Sequence, residues 1–491
     1  MNVVCIVSDQ HNAEFAGCYG GRTRTPNLDR LAEEGTRFDA CWCTYPICAP
    51  SRASWFAGRY AHEIGCWDNA TPYDGGRSDW GTYLRDCGVL HAVTGKLDFT
   101  ERGTASVERP MTVKVRRNWD VTGLFRDSPP VTRPGSVEQF WQVEPADAPG
   151  APHGTEERIT GEAVHFLESG RSADRPWVLA VHYYKPHPPW RPDPERFRHH
   201  LERATPLAPK YLQPFEDLSE AERVRSRWTA GYAGDPDAIA RAHCAYHAEI
   251  EEVDRHVGRV LDAVHANGLA GDTLIIYTSD HGEQARAHGA WGKISMYEDS
   301  LRVPLLIRGP GVAAGRVCRQ PVSLLDLYPT IGQAVGVRLP GFARGASWLA
   351  LTGGRNDATS RPDHAIAECH MFPRAASFAV RQGDWKLIET LGSAPLLFNL
   401  AEDPGEMNDL AGAGGVAADA LDRMRQRLHD LCDPHAVDRR SRRDQRARIE
   451  QLAASGRLQQ ELAKRGFLPS TSRLIPAYSR RSGEKVGASA D

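Results

Sequence analysis

Residues 48–52 read Cys-Ala-Pro-Ser-Arg. Pro50 has no N–H to donate and a fixed φ, so it suits a first helical turn. Cys48 then stands at a helix start, where unpaired N–H groups and the helix dipole favour negative charge. Arg52 lies one turn further on and on nearly the same face, where its guanidinium can hold an anion or orient Cys48. The five residues alone fit an ordinary helix start equally well, with a buried cysteine and a surface arginine.

Two further pairs, Asp9-Gln10 and Asp280-His281, each close an apolar run. Two carboxylates, an amide oxygen and an imidazole can surround one divalent cation. A mostly oxygen set favours a hard ion such as Ca²⁺, Mg²⁺ or Mn²⁺. Lys96, His187 and Lys293 add positive charge, and a lysine suits a tetrahedral oxyanion. Taken singly, each of these residues reads as a solvated strand end, a surface lysine or a loop histidine. Together, with Cys48 on the same edge, they read as a site.

The elements that must position them are legible as apolar runs. Residues 2–9, 88–96, 177–184 and 272–280 have the character of buried strands. Residues 25–35 read as a helix with Thr25 at the cap, Pro26 in the first position and Gly35 at the end. Residues 156–170 and 237–268 read as further helices. Strands alternating with helices imply an α/β fold with a mainly parallel sheet covered on both faces. Ligands of such sheets bind beyond the carboxyl ends of the strands. The polar clusters at 8–12, 95–100, 183–190 and 279–283 all fall there.

Near residue 355, "GGRNDATSRPD" reads as a linker. The stretches "HAIAECH", "SFAVRQGDWKLIET" and "PLLFNL" alternate as short strands with a Gly-Asp turn. The expected division is a catalytic domain over 1–355, an antiparallel subdomain over 356–430 and an Arg-rich helical tail over 431–491. The helical spacing in the tail is at 443–465.

Composition narrows the classes. The chain has 491 residues, 41% hydrophobic and 25% charged, with a formal net charge of -3. It has no overall basic excess for nucleic acid and no apolar run long enough to span a membrane. The start carries no signal-peptide pattern. Eleven cysteines, odd in number and irregularly spaced, point to reduced and mostly buried thiols. A cytoplasmic enzyme acting on small imported substrates is the expectation.

"CAPSR" followed by "ASWFAGR" resembles the signature of the type I sulfatases. "SDQ", "TPNLDRLAEEG", "TGK", "KPHPPW", "SDHGE" and "WGK" occur in that family's order, as do the late "DWKLI" and "LFNLAEDPGEMNDLA". "GKLDFT" and "KISMYEDSLRVPLLIRGPG" are similar to the arylsulfatase K branch, a glucuronate 2-sulfatase. "IGCWDNA" and "CAPSRAS" are closer to choline sulfatase. The resemblance implies an alkaline-phosphatase-like sandwich with a smaller C-terminal antiparallel sheet subdomain.

It also implies roles. A separate maturation enzyme reads C-x-P-x-R and oxidises Cys48 to formylglycine, whose hydrate is the nucleophile. Asp9, Gln10, Asp280 and His281, with position 48, hold one divalent metal. Arg52, Lys96 and Lys293 neutralise the sulfate, and His187 protonates the leaving alcohol. Asn69, in "WDNA", either bonds the sulfate or substrate or makes an Asx turn. Asp98 stands where most sulfatases have histidine. It is expected to act as a base or to contact a substrate hydroxyl, although a reference pKa of about 3.9 suits proton transfer near neutrality poorly.

Three other readings compete. One is a formylglycine-dependent phosphonate or phosphate ester hydrolase. Another is a two-metal phosphatase, for which His243 and His247 are the tempting extra pair but read better as helix-face residues. The third is a silent sulfate- or glycan-binding relative. Trp67, Tyr73, Tyr184, Trp190 and Trp291 could line a pocket for a sugar or a quaternary ammonium, or sit in the core. The tail reads as a helix packing on a neighbouring subunit in a homo-oligomer rather than as a nucleic-acid arm.

Overall fold

The computed structural model describes residues 1–76, 78–116, 120–126, 143, 154–226, 236–353, 361–371 and 375–464. Eight strands form the central sheet: β1 (Asn2–Asp9), β2 (Thr36–Phe38), β3 (Leu90–Lys96), β4 (Arg109–Lys114), β5 (Trp177–Pro186), β6 (Thr273–Ser279), β7 (Leu305–Arg308) and β8 (Arg316–Cys318). Their spatial order is β4-β3-β5-β1-β6-β7-β2-β8. Strands β4 to β6 of this order run parallel, with β1 in register against both β5 and β6. Only β7 is antiparallel to its neighbours.

Alternation along β1 divides the core. Val3, Cys5 and Val7 join one apolar layer with Trp55, Phe56 and Leu274. Val4 and Ile6 join the other with Leu28, Val253 and Val257. A strand buried on both faces has no polar side to show, which is why these runs are continuously apolar. The helices covering the sheet include α1 (Pro26–Glu33), α2 (Cys48–Ala57), α3 (Thr155–His165) and α4 (Pro236–Ala266).

Two local details go beyond the sequence. Thr25 stands at the cap position of α1 with Pro26 next, as expected, but its hydroxyl accepts from Gly17 N–H and donates to Asp29 rather than bonding the first turn. The Asp254 carboxylate on α4 takes the first-turn N–H groups of Asn27 and Leu28 instead, at 3.1 and 2.8 Å. The 156–170 helix stays α-helical only to His165 and widens into a π-helix over Phe166–Gly170.

A four-stranded antiparallel sheet follows: β9 (His364–Cys369), β10 (Ser377–Gln382), β11 (Trp385–Thr390) and β12 (Leu396–Asn399), in that order. The Gly383-Asp384 turn joins β10 to β11, as its sequence indicated. Most of the linker expected near 355 lies outside the described residues. Helix α5 (Val416–Leu431) packs on this sheet through Ala417, Ala420, Met424 and Leu428.

Helix α6 (Pro434–Ala454) and helix α7 (Arg457–Lys464) follow. Asp433 caps α6 by accepting from Ala436 N–H. The buried stripe of α6 covers its own chain rather than a neighbour. Its Ser441, Gln445, Ile449 and Leu452 are buried against the chain's own catalytic domain, where Ile449 and Leu452 meet Ala70, Leu124 and Phe125. Tail residues 465–491 lie outside the described residues. Among those described, no helix is long and apolar enough to cross a membrane.

Candidate active site

Cys48 is the first residue of α2, all ten residues of which are buried. The cap position is taken by Ile47, which has no side-chain acceptor. Asn69 supplies one from a distant loop: its Oδ1 accepts from Ala49 N–H at 3.0 Å. Asn69 therefore caps the helix that carries Cys48, rather than simply making a local turn.

Four strands deliver the other groups to the same edge. Asp9 ends β1, Lys96 ends β3, Lys185-Pro186-His187 continues β5, and Asp280-His281 follows β6. Gly95 has φ 95°, and a Cβ there would stand 1.8 Å from the His182 carbonyl oxygen, so only glycine lets β3 approach β5 just before Lys96. Around the Cys48 sulfur stand Lys293 Nζ at 3.1 Å, His281 Nε2 at 3.3 Å, Lys96 Nζ at 3.6 Å and Asp9 Oδ1 at 3.9 Å. The thiol stands here for whatever position 48 carries after maturation. Burial and the Asp9 carboxylate push the thiol up, but Lys293, Lys96 and His281 overcome both and hold it well below its ordinary value. The site is built to hold an anion at position 48.

Arg52 is wholly buried. Its Nε donates to Asp280 Oδ2 at 2.9 Å, one NH group meets the Lys96 carbonyl and His182 Nδ1, and the other lies 3.5 Å from Asp9. It is absent from the cavity lining. Its position one turn below Cys48 turns it under the helix, toward the carboxylates rather than toward a sulfate. Its ionic contacts are to Asp280 and Asp9.

The residues fit a divalent cation. Donor atoms of Asp9, Cys48, Asp280 and His281, all buried, lie within 4.8 Å of one another. His281 Nδ1 is 2.9 Å from the Gly282 carbonyl and must donate to it, which leaves the Nε2 lone pair facing the cluster. Gln10, held at φ 66°, gives its amide NH₂ to Glu283, so its Oε1 turns inward and accepts from Lys293 at 2.6 Å. Burial pushes the Glu283 carboxyl up to about 7. Among the described residues no second such cluster occurs. His243 bonds the Ala285 carbonyl and His247 bonds Thr23, as packed helix residues do.

Beyond position 48 opens a cavity of about 960 Å³. Gln10, Cys48, Asn69, Lys96, Asp98, His187 and Lys293 all line it. His187 is half-buried and kept below its ordinary value by burial and by Lys293. Asp98 sits at φ 62°, 3.5 Å from both Lys96 and Arg116. Burial raises the Asp98 carboxyl, but Arg116, Lys96 and Arg52 outweigh it and hold the group far below the usual range. A carboxylate so firmly ionised is a weak base, so the geometry weighs against the base role. Its Oδ2 is buried beside the Lys96 ammonium, with no hydrogen-bond partner among the described residues.

Of the aromatic candidates only Tyr184 lines this cavity. Trp67, Trp190 and Trp291 are fully buried core residues, and Tyr73 packs on Phe56 and Phe99. Sequence reasoning missed Lys114 and Arg116, which also face the cavity. Lys114 lies directly across from Lys96 in the β3–β4 ladder, and both ammonium groups flank the Tyr184 ring, at 5.4 and 6.0 Å. The alternation in "VKVRR" was the available signal. Glu283 was quoted within its cluster but given no task.

Comparisons with known proteins give the family and the fold. The Sulfatase family model matches residues 1–337, and a model described as N-sulphoglucosamine sulphohydrolase, C-terminal, matches 286–433. Arylsulfatase K from Bos taurus is 30% identical over 446 residues, covering 86% of this chain and 80% of that protein. A choline-sulfatase from Rhizobium meliloti (strain 1021) is 28% identical over 430 residues, covering 84% and 82%. A protein solved with its substrate D-glucosamine-2-N,6-O-disulfate superposes with TM-score 0.70 at 23% identity, over 90% of this chain and 98% of that one. The phosphonate monoester hydrolase of Silicibacter pomeroyi gives 0.69 at 24%, over 87% and 94%. The last two likenesses speak to the fold.

Proposed function

The chain belongs to the sulfatase family and is a sulfuric ester hydrolase; from that premise we propose that position 48, converted to formylglycine by a maturation enzyme, is the nucleophile, and that the substrate is a small organic sulfate, a uronate 2-sulfate foremost. The observation that carries this is the sulfur of Cys48 at a buried helix start, ringed by Lys293, His281 and Lys96.

Hydrated formylglycine supplies one hydroxyl to attack sulfur and a second whose deprotonation releases sulfate, which a serine could not do. A divalent cation held by Asp9, Gln10, Asp280, His281 and position 48, calcium first, supplies positive charge beside that hydroxyl. The remaining work belongs to side chains. Lys96 and Lys293 neutralise the sulfate oxygens from fixed positions, where preorganised charge is most effective. His187, at the cavity wall, hands a proton to the leaving alcohol. Arg52 keeps Asp9 and Asp280 in place, and Asn69 holds the start of α2. Asp98 accepts from a hydroxyl of the substrate.

A uronate fits the far wall. Lys114 and Lys96 are like charges directly opposed on neighbouring strands, and only Lys96 has carboxylates beside it, those of Asp9 and Asp98. Among the described residues Lys114 has no carboxylate within ion-pair distance, and Arg116 lies 3.5 Å from Asp98. A substrate with a carboxylate near its sulfate ester would answer that wall. The eleven free cysteines, eight of them buried, support a reducing compartment and hence a cytoplasmic enzyme.

The test is turnover by the matured enzyme on a uronate 2-sulfate, choline sulfate, an aryl sulfate and a phosphonate monoester. Sulfate release should be fastest, by kcat/KM, from the uronate. A phosphonate outpacing every sulfate would move the enzyme to the phosphonate class. Binding of sulfate without any turnover would mark a silent relative.

A further inference from the structure

Both family models stop by residue 433, yet α6 begins at Pro434 and grips a loop of the active site. Three side chains on one face of α6 reach the Trp67–Ala70 stretch. Asp444 Oδ2 accepts from Trp67 Nε1 at 3.1 Å. Gln445 Nε2 donates to Asp68 Oδ2 at 2.9 Å, and Arg448 Nε donates to the Ala70 carbonyl at 3.0 Å. Their spacing of three and four residues puts them on adjacent turns of one stripe.

The loop they hold is not peripheral. Asn69 sits between the gripped residues, and it supplies the partner of Ala49 N–H, next to Cys48. The grip is also braced from behind. Gln445 donates to the His370 carbonyl at 2.9 Å, His370 N–H donates to the Tyr45 hydroxyl, and that hydroxyl bonds the Trp67 carbonyl. Asp68 is fully buried, so its carboxylate needs the Gln445 amide as well as the Ala70 N–H and Thr71 hydroxyl that it also accepts from.

We propose that α6, through Gln445 and Arg448, is a positioning element of the active site, setting Asn69 and through it the start of the helix that presents position 48. The tail is then a working part of the enzyme, placed on its own chain. The proposal rests on the sulfate-ester reading only where turnover is the readout. The arrangement of the cap can be read without it.

The experiment uses the full chain with Gln445→Ala, Arg448→Ala, Asn69→Ala and each pair with Asn69→Ala. Hydrogen exchange at the Ala49 amide reads the cap directly, since Asn69 is its partner in place of any helical carbonyl. Exchange there should speed about fivefold in Gln445→Ala and in Arg448→Ala, a shift of the size a cap contact of ~1 kcal/mol produces. It should be fastest, and insensitive to the α6 changes, once Asn69 is alanine. In the matured enzyme, kcat on an aryl sulfate should fall several-fold in each single α6 variant with KM little moved, and the fall should vanish in the Asn69→Ala background. Wild-type exchange at Ala49 in both α6 variants would overturn the proposal, as would equal losses of kcat with and without Asn69. Should Gln445→Ala fail to fold, because Asp68 loses a partner, the Arg448 cycle decides. A wild type that exchanges as expected but hydrolyses no sulfate would count against the sulfate reading alone.

Discussion

At the level of single residues, each group around position 48 has a separable task. Lys293 stands closest to the sulfur among the cations, at 3.1 Å, and no carboxylate is paired with it among the described residues. Replacing it by alanine should lower kcat by about 10²- to 10³-fold, the usual loss when one preorganised donor to a developing anion is removed. Steady-state kinetics on an aryl sulfate will show it. His187 should behave differently. As the donor to the leaving oxygen it matters most when the alcohol leaves reluctantly, so His187→Ala should cost about 10²-fold on an alkyl sulfate and far less on a nitrophenyl sulfate. Burial and Lys293 hold its pKa below the ordinary 6.5, and only the protonated form donates. The kcat on alkyl sulfates should therefore decline with rising pH, starting below 6.5, and that limb should be missing in His187→Ala. Most of these residues were legible because they sit beside one another in sequence at strand ends, as Asp9-Gln10 and Asp280-His281 do. Arg52 was identified, but spacing alone could not tell whether it turns toward the cavity or under the helix. Lys114 and Arg116 were missed because a half-exposed edge strand alternating in charge looks like any solvated surface.

Among the elements, the parallel strands were the easiest to read, because burial on both faces leaves an unbroken apolar run. Helix ends were harder. Thr25 holds the cap position of α1, yet Asp254, distant in sequence, accepts its first-turn N–H groups, and sequence proximity carries no trace of it. The join between β11 and the catalytic core was equally invisible. Lys386 is fully buried, 3.0 Å from Glu298 and 2.7 Å from Glu406, with its ammonium over the Trp42 ring. Lys386→Ala would strand the Glu406 carboxylate in the interior and leave Glu298 with Arg381 alone. It should destabilise the fold by about 3–5 kcal/mol, measured by denaturant unfolding, the range seen when one partner of a buried ion pair is deleted. A change under ~1 kcal/mol would mean that water reaches the vacated space and solvates Glu298 and Glu406. The α6 helix illustrates the same difficulty from another side: an amphipathic, Arg-rich helix has the same pattern whether its apolar stripe covers its own chain or a neighbour.

For the whole molecule, the metal cluster joins β1, α2 and the end of β6, so a bound cation should be felt as global stability. Two buried carboxylates beside His281 favour the folded chain far more when a divalent ion sits between them. Calcium at a hundredfold excess over its Kd should add about 2.7 kcal/mol, visible as a rise in Tm, and a chelator should reverse it together with activity. Magnesium or manganese giving the larger rise would reassign the ion. An unchanged Tm with every ion would argue that Lys96 and Lys293 already satisfy the carboxylates. The central claim, however, is chemical, and it concerns one side chain. The most direct measurement is mass spectrometry of the tryptic peptide from Phe38 to Arg52, taken from protein produced with an active formylglycine-generating enzyme. The expected result is a peptide lighter by the difference between a cysteine and a formylglycine residue, in proportion to the sulfatase activity of the sample. An intact thiol at Cys48 in protein that nonetheless hydrolyses sulfate esters would contradict the account.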